Sequence, residues 1–340
     1  KKLKLTLYSQ LYMHLLVTGG AGYIGSHVAN NLLDLGHKVF IIDDLSTGNK
    51  KLIPQKANFE QCNISDEKKL ENIIKKNNFD AIMHFAGFIK VEESVKFPYK
   101  YFTNNFENSK KLFEICIKNN LLNVIFSSTA AVYGNKKEQK FISEKDQINP
   151  CNPYGESKLK TEQYLISKKN ELNFIILRYF NVAGADPDLR SGLIAEKPTH
   201  LIKIASEAAV GKRSKVIVYG NDYNTYDRTA VRDYIHVSDL SEIHIKSLNY
   251  LIEKKESQIF NCGYGKGYSV KEVLDTFNNI SSNKIEIEYG SRRKGDAEFL
   301  VSDVGKIKKM IKWKPKYNKL DYIIKTSINW EHKLKNEDFS

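Results

Sequence analysis

Cysteine is scarce in this chain of 340 residues. Cys62, Cys116, Cys151 and Cys262 lie far apart and form no C-x-x-C pair. This spacing supports neither a disulfide framework nor a zinc site, and it points to a reducing, cytoplasmic setting with no metal. No apolar run approaches the ~20 residues a bilayer span needs. The basic stretch from Lys1 to Tyr12 is broken by Lys4, Thr6, Ser9 and Gln10, so it lacks the continuous apolar core of a secretory signal. Met13 stands just before the first strand, and residues 1–12 are expected to be an extension outside the fold. Arginine is rare as well: seven residues among the 53 Lys plus Arg that set a net charge of +13. The lysines are dispersed and form no stripe interleaved with aromatics, which argues against a nucleic-acid partner and for a solvated basic surface that favours an anionic substrate. Internal repeats and low-complexity linkers are missing too.

What is present is globular: 41% hydrophobic and 11% aromatic residues, enough chain for one large domain or two. The organising stretch is Thr18 to Gly25. An apolar run, Leu15-Leu16-Val17, precedes it, and apolar residues at helical spacing follow (Ile24, Val28, Leu32, Leu35), so it reads as strand, glycine turn, helix. Gly19, Gly22 and Gly25 fall three apart. Glycine suits a backbone that must take positive φ and let a phosphate approach. The helix N-terminus beyond it offers free N–H groups and partial positive charge to a pyrophosphate. A second apolar run, Val39 to Ile42, ends in Asp43, near the ~20-residue spacing at which a carboxylate bonds a ribose hydroxyl. No arginine follows closely, so the expected cofactor is NAD rather than NADP.

Further strands are predicted at Asn58–Gln61, Asp80–Gly87, Asn123–Thr129 and Asn173–Arg178. Helices are predicted at Asp66–Lys76, Asn104–Asn119 and from Pro153 to Lys169. This alternation predicts an α/β fold with a doubly wound, Rossmann-like parallel sheet over residues 13–184. The regular pattern fades after Gly184, and residues 185–335 are expected to form mainly a smaller α/β lobe for substrate, with some segments returning to the first domain. In such sheets ligands gather at the strand C-terminal ends. The glycine turn, Asp43, Phe85-Ala86-Gly87, Ser127-Ser128-Thr129 and Tyr179-Phe180-Asn181 should therefore meet in one crevice.

Tyr154 and Lys158 sit four apart on one helix face. A phenol with a pKa near ~10 is a poor base at neutral pH. A nearby ammonium and an oxidised nicotinamide would favour the phenolate; lowering its pKa by ~3 units takes ~4 kcal/mol of differential interaction. Tyr154 would then take a proton from a sugar or alcohol hydroxyl, with the Thr129 hydroxyl bonding the same oxygen.

The motifs GGAGYIGSH, HFAG, FSSTAAVYG, NPYGESK, LRYFNVAGA, YGNDY, VRDYIHVSDL and RRKGD, in this order from about Met13 to Trp330, make the chain resemble the extended short-chain dehydrogenases/reductases, and within them the UDP-glucose 4-epimerases. The resemblance implies that Gly19, Gly22, Tyr23, Ile24 and Gly25 hold the pyrophosphate, that Asp43 and Asp44 serve the adenosine ribose, and that Asn63-Ile64 flank adenine. Phe85, Ala86, Asn104, Lys158 and Phe180 would line the rest of NAD. Tyr154 would be the proton acceptor and Thr129 its partner. Asn181, His200, Leu201 and Tyr219 would contact the nucleotide sugar, Arg232 and Arg293 its diphosphate, and Asp296 its uridine ribose. The implied reaction is redox-neutral: C4 is oxidised to a ketone, the keto-sugar swings about its diphosphate, and hydride returns to the other face. A homodimer is the implied assembly.

Several positions depart from the family pattern. Asn63 stands where aspartate is common, its carbonyl still able to accept from adenine. Ile89 replaces a lysine, and the neighbouring Lys90 should point elsewhere. His200 replaces asparagine. Leu300 takes the place of a bulky tyrosine, which leaves room for a 2-acetamido group and predicts activity on UDP-N-acetylglucosamine and UDP-N-acetylgalactosamine. The alternatives are a nucleotide-sugar 4,6-dehydratase or decarboxylase, which would need an acid where Ala130-Ala131 stand, and a non-catalytic NAD sensor, which would not need Tyr154 and Lys158.

Overall fold

A computed structural model describes residues 12–135, 140–293, 296–337 and 339. The expected extension, residues 1–12, lies outside the described residues except for Tyr12, whose side chain is largely exposed. Among the described residues seven strands form one parallel sheet. In chain order they are β1 (His14–Thr18), β2 (Lys38–Asp43), β3 (Asn58–Gln61), β4 (Ala81–His84), β5 (Asn123–Thr129), β6 (Asn173–Tyr179) and, much later, Gln258–Cys262. That last strand follows three of the smaller lobe: β7 (Asn181–Ala183), β8 (Lys215–Tyr219) and β9 (Val231–His236), so it is β10. The spatial order is β10-β6-β5-β4-β1-β2-β3, the doubly wound sheet that the alternation predicts.

The strands inside the sheet are apolar on both faces because both faces are covered, while the edge strand β3 is polar and half-exposed. Leu15, Val17, Met83, Ile125, Ile175 and Leu177 point into one core, shared with the helices Tyr23–Asp34 and Val237–Lys254. Leu16, Ile82, Val124, Phe126 and Ile176 point into the other, under the helices Glu67–Lys76, Asn108–Lys118 and Pro153–Ser167. Local signals set the helix starts. The Asp66 side chain accepts from Lys69 N–H, and that of Asn152 accepts from Gly155 N–H just ahead of Pro153 at the first helical position. Ser269 and Glu272 close a capping box.

The smaller lobe holds a mixed sheet in which β11 (Gly267–Ser269) pairs antiparallel and β13 (Phe299–Leu300) parallel with β9, while β7 also runs parallel to β9. A two-stranded ribbon joins β8 to β12 (Glu286–Gly290). Because β7 leaves β6 by way of Phe180 alone and runs on to β9, the lobe is seated against the C-terminal edge of the main sheet.

Two segments differ from expectation. Residues 104–107 are not α-helical; Phe102–Glu107 is a π-helical stretch ahead of Asn108–Lys118. The strands β7, β9, β11 and β13 carry too few residues in a regular alternation to be seen in sequence. No described helix is long and apolar enough to cross a membrane.

Candidate active site

The glycine turn fits a dinucleotide by what it cannot accommodate. Gly19 has φ of +73°, and a Cβ there would stand 2.5 Å from Ala86 N; one on Gly25 would stand 2.2 Å from Gly19 O. Gly22 caps the helix Tyr23–Asp34 with no side-chain bond to its first turn. The N-terminus is thus left to a ligand, as a pyrophosphate requires. The Tyr23 hydroxyl donates to Gly184 O at 2.6 Å and ties the turn to the start of the smaller lobe. Asp43, at the end of β2, accepts from Ala21 N–H and Leu45 N–H. Burial nevertheless holds its carboxyl above the usual range, with the neighbouring Asp44 adding to the effect. Gly48, which the sequence reading passes over, packs against that carboxylate; a Cβ there would lie 2.8 Å from Oδ1.

Asn63 donates from Nδ2 to Asp44 at 2.5 Å, and its Oδ1 accepts from Ser65 N–H. The carbonyl expected to face adenine therefore already holds a local turn, with one lone pair left. Ile64 is buried beside it. Phe85 and Ala86 follow β4 directly, partly buried beneath the glycine turn.

The proton-transfer group forms where β5 meets the helix Pro153–Ser167. The Thr129 hydroxyl accepts from Ala131 N–H and lies near enough to Tyr154 to favour its phenolate, and Lys158 donates from Nζ to Ser127 O at 2.9 Å. The Lys158 ammonium lies so close to Gly87 that a Cβ there would be 3.2 Å away. Burial is the largest influence on Tyr154 and raises its pKa above the ordinary phenol value, opposed only by Thr129; burial also pushes Lys158 down to about 8. Among the chain's own residues Thr129 alone favours the phenolate, and the Lys158 ammonium is turned to the carbonyl of Ser127 on β5. The π-helical stretch places Asn104 and Asn105 here. Asn104 donates to Asn105, which holds both the N–H and the carbonyl of Phe88 and also donates to Ser157.

The substrate candidates gather across the crevice. Asn181 is the first residue of β7, opposite Tyr234 of β9. Asn181, His200 and Leu201 line one cleft with Tyr23. Phe180 belongs to an apolar cluster with Ala130, Val132 and Tyr133, and Leu300, partly buried, packs against that cluster. Arg232 and Asp296, expected on different parts of the substrate, instead bond each other at 2.5 Å, and Arg232 also donates to Ala297 O. Arg293 lies 4.0 Å over the Tyr219 ring and 3.8 Å from Glu92. Lys90 is exposed, as expected of a side chain aimed away.

Fold and edge residues together define an α/β dinucleotide-dependent enzyme that moves a proton at a hydroxyl. The comparisons with known proteins narrow this. Residues 15–263 match the NAD dependent epimerase/dehydratase family. The UDP-glucose 4-epimerase of Azospirillum brasilense is 44% identical over 94% of this chain and 92% of its own. Among solved structures, the UDP-Glc/GlcNAc 4-epimerase of Campylobacter jejuni is 42% identical, with a TM-score of 0.83 over 94% of this chain and 99% of its own. The UDP-glucose-4-epimerase of Stenotrophomonas maltophila, with bound NAD and formylated UDP-arabinopyranose, is 32% identical, with a TM-score of 0.92 over 96% and 99%. The chain belongs to the NAD-dependent epimerase/dehydratase family; its cofactor is NAD and its reaction class is isomerisation.

Proposed function

We propose that this protein interconverts UDP-glucose and UDP-galactose at C4 through a transient 4-keto sugar, and that it also accepts the corresponding N-acetylhexosamine pair. The observation that carries the reading is a single phenol, Tyr154, set with Thr129 and Lys158 at the edge of the dinucleotide cradle with Ala130-Ala131 beside them. NAD, held by the glycine turn and Asp43, supplies a reversible hydride acceptor. Tyr154 takes the C4 hydroxyl proton and gives it back. Thr129 bonds the same oxygen and orients it. Lys158 adds positive charge where negative charge develops. Arg232 and Arg293 grip the diphosphate by their guanidinium forks, while the sugar, which must turn over, meets small and apolar side chains. Arg232 exchanges Asp296 for phosphate oxygens when substrate enters.

Residues 13–184, with β10, then bind NAD, and most of 185–335 binds the nucleotide sugar. Cytoplasmic residence follows from a reducing setting and a soluble substrate. A homodimer is supported by the exposed apolar residues Ile89, Val91, Val95, Phe97 and Tyr99 on one segment; light scattering that gives the monomer mass at micromolar concentration would refute it. A dehydratase or decarboxylase needs a second acid at the strand end, where Ala130 and Ala131 stand. The test is to incubate the protein separately with UDP-glucose and UDP-N-acetylglucosamine and resolve the epimers. Appearance of both galacto products supports the reading, and a 4-keto-6-deoxy product overturns it.

A further inference from the structure

Three consecutive residues of β5 each grip a different turn of the helix Pro153–Ser167. Ser127 O accepts from Lys158, the Ser128 hydroxyl donates to Glu162, and the Thr129 side chain lies beside Tyr154. Glu162 is fully buried. A carboxylate there is sustained only by a partner, and the partner comes from the next strand. Arg178, opposite Ser128 in the β5–β6 register, donates from Nη2 to Oε2 at 2.6 Å and from Nε to Oε1 at 3.0 Å. Its Nη1 donates to the Tyr133 hydroxyl at 2.9 Å, and that hydroxyl donates to Asn261 on β10. A buried ion pair of this kind is seldom more stable than an apolar pair of equal volume. Its place, one helical turn beyond Lys158, calls for another reason.

Lys158 supplies it. The residue is 3% exposed, and burial pushes its pKa down to about 8. Nearby, His84 of β4 is kept neutral by burial, with the lysine's charge adding to the effect; Tyr154 lies one turn back on the same helix; and Arg178 is paired with Glu162. Phe126 of β5 offers its ring face at 5.0 Å. Against desolvation, the influence that favours the charged lysine is the Glu162 carboxylate.

We propose that Glu162, clamped by Arg178, is a positioning residue for proton transfer at Tyr154: it pins the helix to β5 and supplies the negative charge that keeps Lys158 an ammonium. This rests on the roles given above to Tyr154 and Lys158. The test compares kcat against pH for the wild-type holoenzyme and for the double variant Glu162→Gln/Arg178→Met, which strands no charge. Activity that needs the ammonium is lost as pH rises through the lysine's pKa, so removing the carboxylate moves the alkaline limb to lower pH. At pH 8 the variant should turn over roughly fivefold more slowly than wild type and at pH 9 roughly tenfold, the effect of a one-unit shift from a pKa of about 8, while near pH 6 the two should differ little and KM should hold. A uniform loss at all pH values, or an unmoved limb, overturns the proposal. If the double variant does not fold, Arg178→Lys decides, because it keeps both charges and loses the fork. A fall in kcat of several-fold with unchanged KM supports the proposal, and wild-type turnover overturns it. Tyr154→Phe separates the two readings: if it stays active, the site assignment fails; if it is inactive while the Glu162 variants keep the wild-type limb, only the positioning role fails.

Discussion

Four buried histidines set how this protein responds to acid. His27, His84 and His236 are pushed down to about 3 and His244 to about 4, all mainly by burial. His84 bridges the hydroxyls of Thr18 and Ser109 at 2.6 and 2.8 Å, and His244 lies between the Tyr179 hydroxyl and Leu240 O. Each takes up a proton more readily in the unfolded chain than in the native one. Their contribution to stability is therefore complete above the ordinary histidine value of 6.5 and is lost as pH falls toward 3 to 4. Thermal melts at pH 7 and pH 5 should differ by several degrees, with a slope on the order of 1 kcal/mol per pH unit for each such histidine. Equal melting temperatures would show that these rings are charged when folded. At this scale the sequence was a good guide to which residues meet and a poor one to their charge state. The spacing of Tyr154, Lys158 and Thr129 on a helix and a strand end was legible; that Lys158 would turn to Ser127 O and leave the phenol raised was not, because desolvation depends on everything packed around a group. Glu162 lies outside every motif, and Arg178, though inside LRYFNVAGA, carried no assigned role; the two came together only through the register of β5 and β6.

Among the elements, the glycine turn is the least forgiving. Gly19→Ala would hold a side chain at φ of +73° against Ala86 N. Left-handed backbone costs an L-residue about 1–2 kcal/mol before any clash, so the variant should melt lower and retain little NAD after gel filtration. A variant that keeps wild-type NAD content would show that the turn does not press on the cofactor strand. The central β-α alternation could be read because each inner strand is apolar on both faces and each helix has a cap or a stop. The π-helical stretch at Phe102–Glu107 escaped, since its cause is the Asn105 bonds to Phe88 and Ser157 rather than a local pattern. The short strands β7, β11 and β13, of two or three residues each, exist through pairing with β9 and have no periodicity of their own.

For the whole molecule the question is which sugars the crevice admits and what becomes of their hydrogen. Leu300 packs against the cluster of Phe180 and Ala130, so a side chain at 300 reaches the volume beside the strand end. Leu300→Tyr should cut turnover of UDP-N-acetylglucosamine by tenfold or more, on the scale of a pocket that rejects added bulk, and leave UDP-glucose within a few-fold. Equal losses on both substrates would remove the gate. The return of β10 to the main sheet, 78 residues after β6 ends at Tyr179, joins the two lobes at the same edge; no local signal announces which sheet that strand enters.

The account rests on hydride leaving C4 and returning to the same sugar. The direct measurement is to supply UDP-glucose deuterated at C4 to the protein as purified, without added NAD, in ordinary water, and to follow the label by NMR. The account predicts UDP-galactose that keeps its deuterium at C4. Deuterium lost to solvent, or no galactose product until NAD is added in stoichiometric amounts, would contradict it.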